Sequence, residues 1–274
     1  MSTSGTISKC VTLARGLGTR MRRNDPDARL EAEQAEAADT GVKAMVPVGR
    51  PFLDYVLSAL ADAGFQQVCL VIGPEHDAIR EYYTRTLHPT RLQISFAIQP
   101  KPVGTANAVL AAEDFAAADE FLAINSDNYY PLDALLAVQR LGQPGTVLFE
   151  SAALVRNGNI SEDRIRTFAD CVVDKNGFLA EVIEKPDATT AAALPHEKLV
   201  SMNCWRFGPA IFAACRDVRQ SPRGEFELPD AVKLSIQRGE RFKVARSRSG
   251  VLDLSRRSDI AVVAARLENV QAQL

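Results

Sequence analysis

Neither sign of charge dominates this chain: 32 lysines and arginines stand against 34 aspartates and glutamates, a formal net charge of -2. That balance gives nucleic acid or an anionic membrane surface little to hold, and neither is expected as a partner. Cysteine is scarce and odd in number: Cys10, Cys69, Cys171, Cys204 and Cys215 are scattered through apolar segments with no Cys-x-x-Cys pair. This excludes a disulfide framework and reads as reduced core thiols. The three histidines, His76, His88 and His196, stand apart from one another and from the cysteines, so neither a zinc site nor a histidine-based triad is indicated. No apolar run nears the ~20 residues needed to span a bilayer, and residues 1–5 lack the pattern of an export signal. The cytoplasm is the expected compartment.

What is present is a 274-residue chain, 46% apolar, which can bury a substantial core in one large domain or two small ones. Its organising stretch is Leu13-Ala14-Arg15-Gly16-Leu17-Gly18-Thr19-Arg20-Met21, directly after an apolar run over 7–12. Two glycines separated by one residue let backbone N–H groups turn inward and approach a phosphate chain, so the stretch reads as an anion cradle. On these residues alone an ordinary strand-to-loop turn reads equally well. A dinucleotide fingerprint would need a third glycine where Met21 stands, and a P-loop would need Gly-Lys-Ser/Thr where this loop ends Gly-Thr-Arg.

Downstream, residues 24–41 are rich in Asp, Glu and Ala, with Leu30 the only large apolar side chain, and read as a solvated helix or mobile excursion. Helical spacing over 51–63, 76–84, 105–112 and 132–141 alternates with strand patterns over 68–72, 92–98 and 121–125. Such alternation predicts an α/β fold, a mostly parallel central sheet flanked by helices, with its sites at the carboxyl ends of the strands. The glycine loop, Gln99-Pro100 and Ser126-Asp127-Asn128 all fall at such ends. From 145 on, a strand is predicted over 147–155 and a hairpin from 171–173 and 178–183 around Asp174-Lys175-Asn176-Gly177. A further strand over 199–207 follows, then helices over 209–215 and 227–237, strands over 242–247 and 251–254, and a closing helix over 259–273. This half should form an antiparallel, hairpin-rich lobe.

The glycine loop, Lys43, Gln99-Pro100 with Gly104-Thr105, Asp127, Glu184-Lys185-Pro186, Asn203 and Asp253 stand in the order found in sugar-phosphate nucleotidylyltransferases, and over nearly its whole length the chain resembles the nucleotidyltransferase domain of that family. The resemblance implies a Rossmann-like nucleotidyltransferase fold, one domain over 1–274 with a nucleotide-binding half (1–144) and a sugar-phosphate-binding half (145–274). It implies an enzyme that transfers a nucleotidyl group from an NTP to a sugar 1-phosphate with release of pyrophosphate. Leu13, Ala14, Gly16, Gly18 and Thr19 would cradle the nucleotide, Arg20 would hold the departing pyrophosphate, and Lys43 would neutralise the triphosphate as a point charge. Gln99, with both a donor and an acceptor, would pair with the edge of uracil or thymine, favouring UTP or dTTP, while Gly104 leaves room for the base before Thr105. Asp127 and Asp253 would hold magnesium, and Glu184, Lys185 and Asn203 would bind the sugar phosphate, Lys185 catalytically. The NTP and the sugar 1-phosphate are the implied partners, and a homo-oligomer is a further expectation.

Four features depart from the family pattern. Arg15 stands where Ala or Gly is usual, Ser126 replaces a glycine before Asp127, Val251-Leu252-Asp253-Leu254 lacks a neighbouring tryptophan, and the interval from Arg20 to Lys43 is long. Two other functions compete. One is a cytidylyltransferase for a phosphate such as phosphocholine, with Trp205, Tyr129 and Tyr130 boxing the quaternary ammonium. The other is a non-catalytic subunit that only binds nucleotide or nucleotide sugar, against which the joint presence of Arg20, Lys43, Asp127, Lys185 and Asp253 argues.

Overall fold

A computed structural model describes residues 6–166, 168–183 and 198–274. Short apolar runs form the core strands β1 (Lys9–Leu13), β2 (Gln67–Ile72), β3 (Gln93–Ile98) and β4 (Phe121–Asn125), which pair in parallel in the order β4-β1-β2-β3. Side chains alternate across the sheet: Cys10, Val68, Leu70 and Ile72 face one layer, Val11, Leu13, Cys69 and Val71 the other. The helices Phe52–Asp62, Leu132–Gln139 and Arg257–Leu267 cover the first face, and Thr105–Leu110, Ala210–Asp217 and Leu228–Gln237 the second. Burial on both sides is why these strands read as continuous apolar runs.

The second half extends the same sheet. β5 (Asn128–Tyr129) leaves it to pair with a later strand, and β6 (Gly145–Glu150) returns to it. β7 (Asp170–Val173) and β8 (Leu179–Ile183) form the hairpin, and β9 (Leu199–Phe207) runs antiparallel between β4 and β6. β10 (Lys243–Ser247) closes the edge parallel to β6, and β11 (Leu252–Asp253) pairs with β5. The antiparallel lobe is thus continuous with the parallel sheet through β9.

Three local expectations need correction. The strand over 147–155 stops at Glu150 and becomes a helix, Ser151–Asn157, because Ala153 and Leu154 bury at helical spacing while Arg156 stays exposed. The helix over 76–84 splits into Asp77–Glu81 and a wider π turn, Tyr82–Thr86. The acidic segment is a solvated helix, Ala32–Thr40, capped by Glu31 and Gln34 and ended by Gly41 in the left-handed region, but it is not loose. Ala38 is fully buried, and Arg257 ties Asp39 to the carbonyls of Met21 and Arg23. The five cysteines are free and buried, and burial pushes the Cys69 thiol up to about 11 and those of Cys204 and Cys215 to about 12.

The π turn brings two adjacent tyrosines onto one buried carboxylate. Asp54, fully buried in the helix Phe52–Asp62, accepts from Tyr83 at 2.8 Å, Tyr82 at 2.9 Å and Arg50 at 3.1 Å. Burial raises the Tyr83 phenol well above its ordinary value, so it remains a donor. Asp54→Ala strands these donors, each buried one at a cost of ~1–3 kcal/mol, and should lower stability by about 2–4 kcal/mol in urea unfolding with an unchanged m-value. A midpoint within error of the wild type would contradict this packing account.

Candidate active site

Because β4, β1, β2 and β3 lie parallel in that order, the loops that follow β1, β3 and β4 leave the same edge of the sheet and share one cleft of about 340 Å³. Backbone bonds knit these ends together: Ala14 N to Val71 O at 2.9 Å, Ser126 N to Leu13 O at 3.1 Å and Gln99 N to Ile72 O at 2.9 Å. Leu13, Ala14, Gly16, Gly18, Thr19, Arg20, Lys43, Gln99, Gly104, Thr105, Asp127 and Asn203 all line it, as the sequence led us to expect. Glu184 and Lys185 lie outside the described residues. Asp253 does not line the cleft.

The two loop glycines do different work. A Cβ at Gly16 would meet nothing within 4 Å, so that residue faces open cleft. Gly18 has φ +61, and a Cβ there would lie 2.1 Å from the carbonyl oxygen of Gly41, so its glycine is required by backbone contact with the end of the acidic segment. Among the described residues, no acceptor takes the N–H of Arg15, Gly16, Leu17 or Gly18. Four such donors at a cleft edge are what an anion cradle requires. Arg20, exposed on the adjoining turn Thr19–Arg22, forms no ion pair among the described residues.

Lys43 follows Gly41 by two residues, and its Nζ meets Asp127 Oδ2 at 2.6 Å, a pair of opposite charges 84 residues apart that neutralise each other at the cleft floor. Asp253 behaves differently. Its main chain lies close to Asp127, since β11 pairs with β5 and Leu254 N donates to Asp127 O at 2.9 Å, but the side chain is only 9% exposed. Its Oδ1 stands 2.6 Å from Nη2 of buried Arg164, an ion pair of opposite charges. The expectation that Asp253 joins Asp127 as an open magnesium ligand is therefore revised: it is buried and charge-paired. No group of three or more acidic, histidine or cysteine side chains gathers as a metal cluster among the described residues.

Gln99 and Gly104 are also revised. Gln99 is buried, and its Nε2 donates to Gly104 O and to Asn107 Oδ1, both at 3.0 Å. A backbone carbonyl can only accept, so the amide orientation is fixed and Oε1 alone remains to meet a ligand. Gly104 does not make room for a base: with φ +121, a Cβ there would lie 2.4 and 2.5 Å from the backbone of Phe226. That contact carries Glu225 into the cleft wall, a residue with no signal in the sequence. Thr105 Oγ1 accepts from Leu228 N at 2.9 Å, capping the distant helix Leu228–Gln237. Asn203 holds φ +55 beside a register shift of β9 on β6, its side chain bonded to Asn125 at 3.4 Å and to Trp205 at 3.2 Å. Left-handed backbone at a non-glycine residue is stored strain at a site. Arg15 also lines the cleft, paired with Glu75 and donating to the Gln99 carbonyl. The Glu75 carboxyl is lowered from its ordinary value, first by its own backbone N–H, which desolvation opposes, and then by Arg15.

The aromatic box does not exist. Trp205 is fully buried, stacked on Phe207 at 5.7 Å and edge-on to Phe242, and Tyr130 is buried with its hydroxyl on Met202 O at 2.6 Å. Neither these nor Tyr129 lines the cleft.

Comparison with known proteins gives a consistent result. Residues 38–261 match the model of the nucleotidyl transferase family. The UTP--glucose-1-phosphate uridylyltransferase AglF of Haloferax volcanii is 29% identical over 266 residues, covering 97% of this chain and 98% of that protein. A glucose-1-phosphate thymidylyltransferase of Streptomyces griseus is 29% identical over 237 residues, 84% of this chain but 58% of that longer protein. Among solved structures, a UDP-glucose pyrophosphorylase complexed with UDP-glucose superposes with a TM-score of 0.74 at 16% identity, covering 97% of this chain and 100% of that one. A UTP-bound enzyme from Acinetobacter baumannii superposes with 0.73 at 19%, covering 97% and 95%. The chain belongs to the nucleotidyl transferase family: it is an enzyme, and the resemblance to sugar-phosphate nucleotidylyltransferases carried by its ordered motifs is borne out.

Proposed function

We propose that this chain transfers a uridylyl or thymidylyl group from UTP or dTTP to a sugar 1-phosphate, releasing pyrophosphate and forming an NDP-sugar. The observation that carries the base preference is the fixed orientation of Gln99, whose Oε1 can accept from the N3–H of uracil or thymine. Cytosine and adenine present an unprotonated ring nitrogen at that edge and would set lone pair against lone pair. The names of the relatives, a uridylyltransferase and thymidylyltransferases for glucose 1-phosphate, support the same substrates.

The free N–H groups of residues 15–18 hold the triphosphate, Arg20 takes the departing pyrophosphate, and a phosphate oxygen of the sugar 1-phosphate attacks the α-phosphorus in line. Positioning and charge neutralisation supply most of the acceleration. By the resemblance Glu184 and Lys185 would bind the sugar phosphate, with Asn203 behind it on β9. Lys43 is held ready by Asp127 and exchanges that partner for phosphate oxygens. The donor set at Asp127, a hard and partly exposed carboxylate at the cleft floor, fits magnesium, which keeps several waters and needs only one or two protein carboxylates. Asp253 joins it only by exchanging Arg164. Bound there, the cation would screen the repulsion between the two anionic substrates. With no aromatic box, a quaternary ammonium substrate loses its support.

Pyrophosphate release measured over a grid of NTPs and sugar 1-phosphates with magnesium should favour UTP or dTTP over CTP and ATP by about tenfold or more, the value of one buried hydrogen bond. Comparable turnover with ATP or CTP would contradict the assignment, and no release with any pair would favour a binding subunit. Asp127→Asn should lower kcat on the order of a hundredfold, as loss of an electrostatic contact does, and keep wild-type stability. Asp253→Asn should in addition destabilise the fold, by about 3 kcal/mol at most, because it removes one of the two carboxylates paired with buried Arg164. Near-normal turnover in Asp127→Asn would remove that residue from the mechanism.

A further inference from the structure

The cleft side chain with the firmest anchorage is one that departs from the family pattern. Arg15 follows β1, and its side chain, only 7% exposed, crosses the end of β2 to reach the end of β3. Its Nε and Nη2 meet the Glu75 carboxylate at 3.3, 3.1 and 3.2 Å, and its Nη1 donates to the backbone carbonyl of Gln99. Gly73 lies beneath: a Cβ there would come within 2.4 Å of Glu75 Oε2 and 2.5 Å of Arg15 Nε, so the pair packs directly over the strand end.

This anchorage decides between two roles. A guanidinium whose charge is already matched by a carboxylate in forked geometry is a poor phosphate anchor, and unpaired Arg20 is better placed for that task. It is a good rigid donor. Nη1 carries two N–H bonds, and Gln99 O takes one of them. No acceptor among the described residues takes the other, and Arg15 shares the cleft lining with Gln99.

We propose that Arg15, held by Glu75, determines base specificity: its remaining Nη1 N–H donates to a ring carbonyl of uracil or thymine while Gln99 Oε1 accepts from the neighbouring N3–H. The inference rests on the pyrimidine reading given above. In both bases N3–H lies between two carbonyls, so a donor on either side of the Gln99 acceptor meets an oxygen. Cytosine and adenine fail at the acceptor. Guanine matches on one side only, since an amino group flanks its ring N–H on the other.

The test uses UTP, 2-thio-UTP and 4-thio-UTP, because sulfur is a weaker acceptor than oxygen. Their affinities are measured by calorimetry for the wild type, Arg15→Leu and Glu75→Gln, with KM for glucose 1-phosphate and the melting temperature alongside. One thio analogue should bind the wild type several-fold more weakly than UTP. Arg15→Leu should bind UTP about tenfold more weakly, as loss of one hydrogen bond implies, with that thio penalty abolished and KM for glucose 1-phosphate unchanged. Glu75, with half of its side chain exposed, can be altered without disturbing the core, and Glu75→Gln should give a smaller loss in the same direction. Wild-type UTP affinity in both variants, a thio penalty that persists in Arg15→Leu, or equal loss for UTP and sugar phosphate would each overturn the role of Arg15. If the wild type itself fails to prefer UTP or dTTP, the pyrimidine reading falls instead.

Discussion

The cleft depends on one backbone contact, the approach of Gly41 to Gly18 at a distance no side chain allows. It closes an excursion of more than twenty residues onto the loop from which that excursion departs. Two residues later it delivers Lys43 to Asp127 at the end of β4. Arg22 reinforces the closure by donating to Thr40 O at 3.1 and 2.6 Å, and Arg257 ties the same segment to the C-terminal helix. The long interval between Arg20 and Lys43 therefore changes the route of the chain without changing where its charges arrive. A second contact of the same kind, Gly104 against Phe226, fixes the opposite wall.

Charge in and around this cleft is mostly paired before any substrate enters: Lys43 with Asp127, Arg15 with Glu75, and Arg164 with Asp253 behind the floor. In the transfer proposed above a polyanion is accommodated by the N–H groups of the glycine loop, by Arg20 and by exchange of partners at Lys43, not by a broad positive field. Such a site is organised in advance, which is where electrostatic catalysis gains most. The near-neutral net charge of the chain agrees with this economy.

The alternation of strand and helix patterns made the parallel half legible, because strands buried on both faces and helices with one apolar stripe leave distinct periodicities. Residues at strand ends were legible for the same reason, and the ordered motifs brought Arg20, Lys43, Gln99 and Asp127 to one place. What pattern cannot carry is the identity of a partner distant in sequence. Arg164 on Asp253, Asn107 on Gln99 and the π turn on Asp54 are three-dimensional matches with no local signature. Gly104 was legible as a required glycine, but the reason lies in Phe226, about 120 residues away. Trp205 and Tyr130 were misread because an aromatic residue carries the same signal whether it lines a site or, as here, fills the core.

The proposed transfer is direct and in line between two bound substrates, with the chain supplying position and charge and no covalent intermediate. The stereochemical course at the α-phosphorus tests it most directly. With UTP bearing a chiral α-thiophosphate and glucose 1-phosphate as acceptor, a single displacement predicts an NDP-sugar of inverted configuration. Retention would require two displacements through a nucleotidyl-enzyme and would contradict the account.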